Sequence, residues 1–180
     1  MHTERYLSSR QARDREHIRL QELLSTALMN STVTRSRQRP GCLEIVFGRE
    51  PREGFEGKVA GQRSADWTGQ FTLFVECAWR IDEDRRLAFG SGDAQDFEAT
   101  DCYDIVGLTV ESIRVIPVDL DTVIRLSSSK VIYLFLTADT PGGEFTNWRF
   151  YDGRRLILRV GPGRVLNLNV KSADFNGRSV

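Results

Sequence analysis

From Phe71 to Ile81 every second residue is apolar: Phe71, Leu73, Val75, Cys77, Trp79 and Ile81, with Thr72, Glu76 and Arg80 among the residues between them. A period of two sends side chains to alternate faces of an extended chain, so this run specifies a strand with one buried face. A helix has no use for it, because its faces recur at 3.6 residues. Shorter runs of the same kind follow at 42–47, 87–89, 108–116, 120–127, 130–137, 145–151, 154–160 and 164–170. Turn residues separate them. Asp152-Gly153 is the type I′ hairpin signal, Ser127-Ser128-Ser129 reads as a second hairpin, and 82–86 (DEDRR) reads as a charged tight turn. The pattern predicts a mainly β chain: an antiparallel β-sandwich or barrel of about eight to ten strands.

One amphipathic helix precedes it. Ser8 to Gln11 forms a capping box, and Leu20, Leu23, Leu24, Ala27 and Leu28 make one apolar stripe. Arg13, Glu16, Arg19 and Glu22 populate the other side, and the helix is expected to end near Asn30. Residues 31–41 (STVTRSRQRPG) read as a basic connector. The expected organisation is therefore a helix and connector over 1–41 and a single β domain over 42–180. If the Leu20–Leu28 stripe is exposed, a homodimer through the helix follows.

Charge is uneven along the chain. The 25 basic and 25 acidic residues cancel, yet residues 76–121 hold 4 basic and 12 acidic groups, net −8. Residues 1–40 and 122–180 are net +4 and +5. The basic residues are 22 Arg and 3 Lys, which fits a GC-rich genome or, more sharply, recognition of carboxylate or phosphate by the guanidinium fork. At 40% hydrophobic residues the chain is too apolar to be wholly disordered. Its longest apolar run is six residues, Val131–Leu136, and its first fifteen residues are polar, so neither a membrane span nor a secretory signal is expected. Cys42, Cys77 and Cys102 are odd in number and far apart. A reducing cytosol is the expected compartment.

Chemistry-bearing motifs are sparse. His2 is terminal and His17 reads as a surface histidine of the helix. No nucleophile elbow, Cys-x-x-Cys pair, Walker sequence or dinucleotide fingerprint occurs, so no catalytic residue, metal ligand or cofactor is assigned. Asp93, Asp96, Glu98, Asp101 and Asp104 cluster in one stretch. A solvated acidic loop is the plain reading. Calcium ligation and a paired-carboxylate site are weaker, because the spacing matches neither. Among functional readings, contact with a basic partner ranks first, since this stretch lies in the net −8 segment. Arg80 and Trp148 join it as partner-contact residues, an aromatic and a guanidinium being common hot-spot types; Trp148 reads equally as a core anchor. Arg149, Arg154, Arg155, Arg159 and Arg164 surround a hairpin that also holds Trp148, Phe150 and Tyr151. Such a set can stack single-stranded nucleic acid, but a neutral chain without an RNP motif makes a solvated strand face the better reading.

Several of these features in order carry a family likeness: Trp79-Arg80-Ile81, Gly90-Ser91-Gly92-Asp93, IVGLTVESIRV (105–115), DLDTVIRL (119–126), VIYLF (131–135) and Trp148. Over residues 70–163 the chain resembles small, largely uncharacterised bacterial all-β proteins, some of them suspected immunity proteins of toxin systems. The resemblance implies no catalytic residues and does not reach residues 1–41. The expected function is a non-enzymatic cytosolic binding protein, in its most specific form an immunity protein that meets a basic toxin through its acidic segment. A small-ligand β-barrel carrier is the alternative, and nucleic-acid binding through the Arg-rich hairpin ranks below it. A carboxylate enzyme ranks lowest.

Overall fold

In the computed structural model, residues 3–39, 42–49, 70–92, 100–101, 103–117, 120–136, 146–153, 155–161 and 166–168 are described. Helix α1 spans Thr3–Leu28. It closes where expected: Asn30 adopts a left-handed φ of 61°, and Ser31 returns its N–H and hydroxyl to the Leu28 carbonyl. Twelve strands follow among the described residues. They are β1 (Val33–Arg39), β2 (Cys42–Phe47), β3 (Phe71–Val75), β4 (Ala78–Glu83), β5 (Arg86–Gly90) and β6 (Thr100–Asp101). A short 3-10 helix at Tyr103–Ile105 leads to β7 (Val110–Val115), β8 (Thr122–Leu126) and β9 (Lys130–Phe135). The last three are β10 (Trp148–Asp152), β11 (Arg155–Val160) and β12 (Leu166–Leu168).

The strands form two antiparallel sheets that do not close into a barrel. The larger runs β12-β11-β10-β3-β2-β1-β6 and the smaller β5-β4-β9-β8-β7. Each has five principal strands, and the larger adds the short β6 and β12 at its edges. The architecture is the expected sandwich. Its interior is filled by Trp148, Phe47, Phe150, Leu43, Ile45 and Ile124, all fully buried. The barrel that a small-ligand carrier needs does not form.

The alternating run of Phe71–Ile81 is split into β3 and β4, one in each sheet. The chain crosses between layers at Glu76–Cys77, where both N–H groups donate to the Asn147 carbonyl at 2.7 and 2.9 Å. Asn147 is itself held by its N–H on Val160 O and its Nδ2 on Gly161 O. Parity survives the crossing: Phe71, Leu73, Val75, Cys77, Trp79 and Ile81 are all buried, so one pattern serves both layers.

Within the expected connector, Val33–Arg39 is a strand, and a boundary after residue 41 would separate it from its hydrogen-bonded neighbour. β1 pairs with β2 from Val33↔Phe47 to Arg39↔Cys42. A bulge at Thr34 shifts the parity, so the core-facing positions are Val33, Ser36 and Gln38 while Arg35 and Arg37 face outward. Polar residues at buried positions hid the strand. The hairpin at Asp152-Gly153 is also displaced by one residue: Asp152 is the last paired position, opposite Arg155, and Gly153 takes the positive φ of 55°.

α1 covers the β7 edge of the smaller sheet. Leu20, Leu24, Ala27 and Leu28 are buried in the common core, so the stripe that would have served a homodimer is occupied within the chain. Gln21 Oε1 accepts the Val115 N–H at 2.7 Å while Gln21 Nε2 donates to Ile113 O at 2.7 Å. One turn earlier, His17 Nε2 lies 2.8 Å from Val115 O. A carbonyl only accepts, so that nitrogen carries the proton. His17 is thus half-buried and bonded rather than a free surface histidine. Past the helix, the chain itself continues the edge: Asn30 N and Ser31 O bond to Val110, and Thr32 bridges Thr109.

Candidate functional site

The two sheets differ on their outward faces. On the larger sheet Val46, Thr72 and Glu44 are buried although they face away from the core. On the smaller sheet the outward residues form rows set by register: Arg80 beside Tyr133 and Val123, and Asp82 beside Val131 and Arg125. Arg80 and Arg125 are exposed there. At the turn end of this face lies an open hollow of about 810 Å³.

Seven charged side chains line it: the cations Arg80, Arg85, Arg125 and Lys130 and the carboxylates Asp82, Asp84 and Glu111. Val131 and Tyr133 contribute to its floor. Three backbone irregularities build the rim. The β4–β5 turn is two residues long, Asp84 and Arg85, both at positive φ (48° and 67°), between the paired Glu83 and Arg86. The β8–β9 turn carries Ser128 and Ser129 at 61° and 60°. In β7 a bulge between Val110 and Ser112 leaves Glu111 as the extra residue, aimed into the hollow.

Arg80 is the best-held group in it. Its Nε sits 3.2 Å from Oδ1 of Asp82, two residues along the same strand face. Its guanidinium lies over Tyr133 at 4.5 Å from the ring centre and 5.6 Å from that of Phe135. The two rings stack with centres 6.1 Å apart and planes 3° from parallel. An ion pair and a cation–π contact together fix the side chain's direction. Asp82 is 7% exposed, and Leu87, opposite it on β5, is 64% exposed.

Beside the hollow, two acids of the acidic segment share one cation. Lys130, mostly buried, places its Nζ 3.7 Å from Glu83 and 3.9 Å from Asp104, which is 86% exposed. Carboxylates from well-separated stretches of sequence thus meet at one corner of the sandwich.

The expected partner-contact residues divide sharply. Arg80 is in the hollow, Asp104 is at the acidic corner, and Asp101 belongs to β6, opposite Arg37. Asp93, Asp96 and Glu98 lie outside the described residues. Trp148 is fully buried between Val75 and Val160 and is a core anchor, which removes it as a contact residue. The residues of the Arg-rich hairpin are divided between the two faces of the sheet, Tyr151 facing outward beside Phe74, and Arg154 and Arg164 lie outside the described residues. Strand alternation turns Trp148 and Phe150 inward and Arg149 and Arg159 outward, where Arg149 pairs with Glu76 at 2.7 Å and Arg159 Nε donates to Thr146 Oγ1 at 2.9 Å. Sequence reasoning did not single out Tyr133, Asp82, Arg125, Lys130 or Glu111. Tyr133 and Phe135 alternate with the buried Ile132 and Leu134, and that parity is the signal that could have found them.

Among the described residues no group of three His, Cys, Asp or Glu is placed to hold a metal ion. No helix among them is long and apolar enough to cross a membrane. Compared with protein families, curated proteins and solved structures, the chain matches none.

Proposed function

We propose that the chain is a binding protein that holds a partner at this hollow rather than transforming it. One observation carries the reading. Among the described residues six non-glycine positions have positive φ, and four of them, Asp84, Arg85, Ser128 and Ser129, stand on the hollow's rim. Glycine takes such a conformation without strain, and a larger side chain costs about 1 kcal/mol or more there. A two-residue hairpin asks for Asn-Gly or a close relative, and this one carries Asp-Arg. Strained backbone of this kind clusters at binding and switch sites, which is the ground for placing the site here.

The partner in this proposal is a protein of net positive charge, met in the cytosol. In its most specific form the chain is an immunity-type protein that blocks a basic toxin. Support comes from the net charge of −8 over residues 76–121, the meeting of Glu83 and Asp104 at one corner, and the resemblance in strand order. Charge of one sign at an interface raises the on-rate of an oppositely charged protein.

The test compares Arg85→Gly and Ser129→Gly with the parent chain, in thermal stability and in capture of a partner from host lysate. Each glycine is expected to raise Tm by about 2–4 °C and to lose the captured protein. Glu83→Gln combined with Asp104→Asn should weaken capture at low salt and flatten its salt dependence. Capture of the same protein by all three variants, unchanged, would end the proposal.

A further inference from the structure

We infer that the hollow takes an extended polypeptide segment in which an acidic side chain is flanked by basic ones, the acid seated between Arg80 and Arg125. This rests on the hollow being a binding surface and adds the chemistry of what it holds.

Arg80 uses its Nε on Asp82 and its face on Tyr133. Both terminal nitrogens are left for a ligand, and the fork they form matches the two oxygens of a carboxylate. Because the side chain is already held, little rotamer freedom is lost when that carboxylate arrives. Arg125 stands in the row Asp82–Val131–Arg125, two strands from Arg80's strand, exposed and without an ion pair among the described residues. A carboxylate over Tyr133, one strand repeat away from the Asp82 row, has Arg80 on one side and Arg125 diagonally on the other.

The surrounding groups decide what the rest of the ligand is. Asp84 and Glu111 enter the hollow from opposite sides, one on the β4–β5 turn and one on the β7 bulge. A nucleic-acid strand brings a phosphate at every step and sets some of them against Asp82, Asp84 and Glu111. A uniformly basic segment meets Arg80, Arg85, Arg125 and Lys130. Only a segment of mixed sign satisfies both sets. An extended chain presents same-face side chains about 7 Å apart, the spacing of Arg80 and Asp82 along β4.

The experiment titrates the full chain with four probes while recording backbone amide resonances by NMR. The probes are a nine-residue peptide of alternating Lys and Glu spaced by Gly, an all-Glu peptide and an all-Lys peptide of the same design, and a nine-nucleotide oligothymidylate. The expected result is movement of the Arg80, Arg125 and Tyr133 resonances by the alternating peptide, with affinity at least fivefold above that of each other probe. Arg125→Gln, which removes an exposed cation, should weaken that binding at least fivefold while the Val115 amide keeps its position as a reporter of the fold. Tighter binding of the oligothymidylate or of either single-sign peptide would overturn the assignment. So would the absence of movement with every probe, or an unaltered affinity in Arg125→Gln. If these fail while Arg85→Gly still loses the captured partner, the hollow remains the binding surface and only the ligand chemistry falls.

Discussion

The side-chain amide of Gln21 makes the hydrogen bonds that a neighbouring strand would make to Val115. Its oxygen takes the Val115 N–H at 2.7 Å and its nitrogen reaches Ile113 O, one strand repeat away, at the same distance. An edge strand normally offers such groups to other chains, and here a helix withdraws them. Gln21→Ala leaves one donor and one acceptor unpaired under the helix. The expected cost is about 2–4 kcal/mol of stability, read from urea unfolding.

Two ion pairs on the outer face of the larger sheet should behave differently. Glu44 is 1% exposed and sits 2.8 Å from Arg35, whereas Glu76 and Arg149 are both about one-third exposed at 2.7 Å. Arg35 is 30% exposed, so the buried member is Glu44, and removing the cation is the costly change. Arg35→Ala should therefore cost about 1–3 kcal/mol, and Arg149→Ala under about 1 kcal/mol, in the same unfolding assay.

Burial pushes the Cys77 thiol up from 9.0 to about 12, with the Asp121 and Glu76 carboxylates adding to the rise and backbone hydrogen bonds opposing it. The unfolded chain ionises this thiol near its ordinary value while the folded chain keeps it neutral. Between those two values the unfolded state binds fewer protons, so stability falls as pH rises, by up to about 1.4 kcal/mol per pH unit. Below 9.0 the contribution is fully present. Cys77→Ala should remove that slope, and a thiol reagent at neutral pH should modify Cys77 only on unfolding.

Trp148 fills the core, yet its Nε1 has no hydrogen-bond partner among the described residues. Trp148→Ala opens a cavity and should cost about 3–5 kcal/mol. Trp148→Phe loses volume but also removes an unpaired buried donor, so its cost should stay below about 1.5 kcal/mol, measured by denaturant midpoint.

Most strands were legible because their core positions are apolar and evenly spaced: 42–47 is β2 to the residue, β7, β8, β9 and β11 fall inside the expected runs, and β10 overruns its run by Asp152. The failures have local causes. A bulge at Thr34, with Ser36 and Gln38 at buried positions, erased the alternation of β1. The 71–81 run read as one strand because the bend on Asn147 preserves the parity of its core face. Arg80 stood out in the sequence beside Trp79, although the ring it lies over belongs to Tyr133, on a strand far along the chain. The hollow is a product of register. Arg125 and Asp82 are neighbours only through Val131, and nothing in their local sequence announces it.

The passage of the backbone from one layer to the other at Glu76–Cys77 has a consequence for how the molecule comes apart. Leu73 and Trp79, close in sequence, are anchored in different slabs of the same apolar filling. Neither slab is an autonomous unit: excising one would strip the other of its cover and cut the pairings that β3 and β4 make with their own neighbours. Loosening at one end is therefore transmitted along a single taut segment, and both halves are bound to melt together.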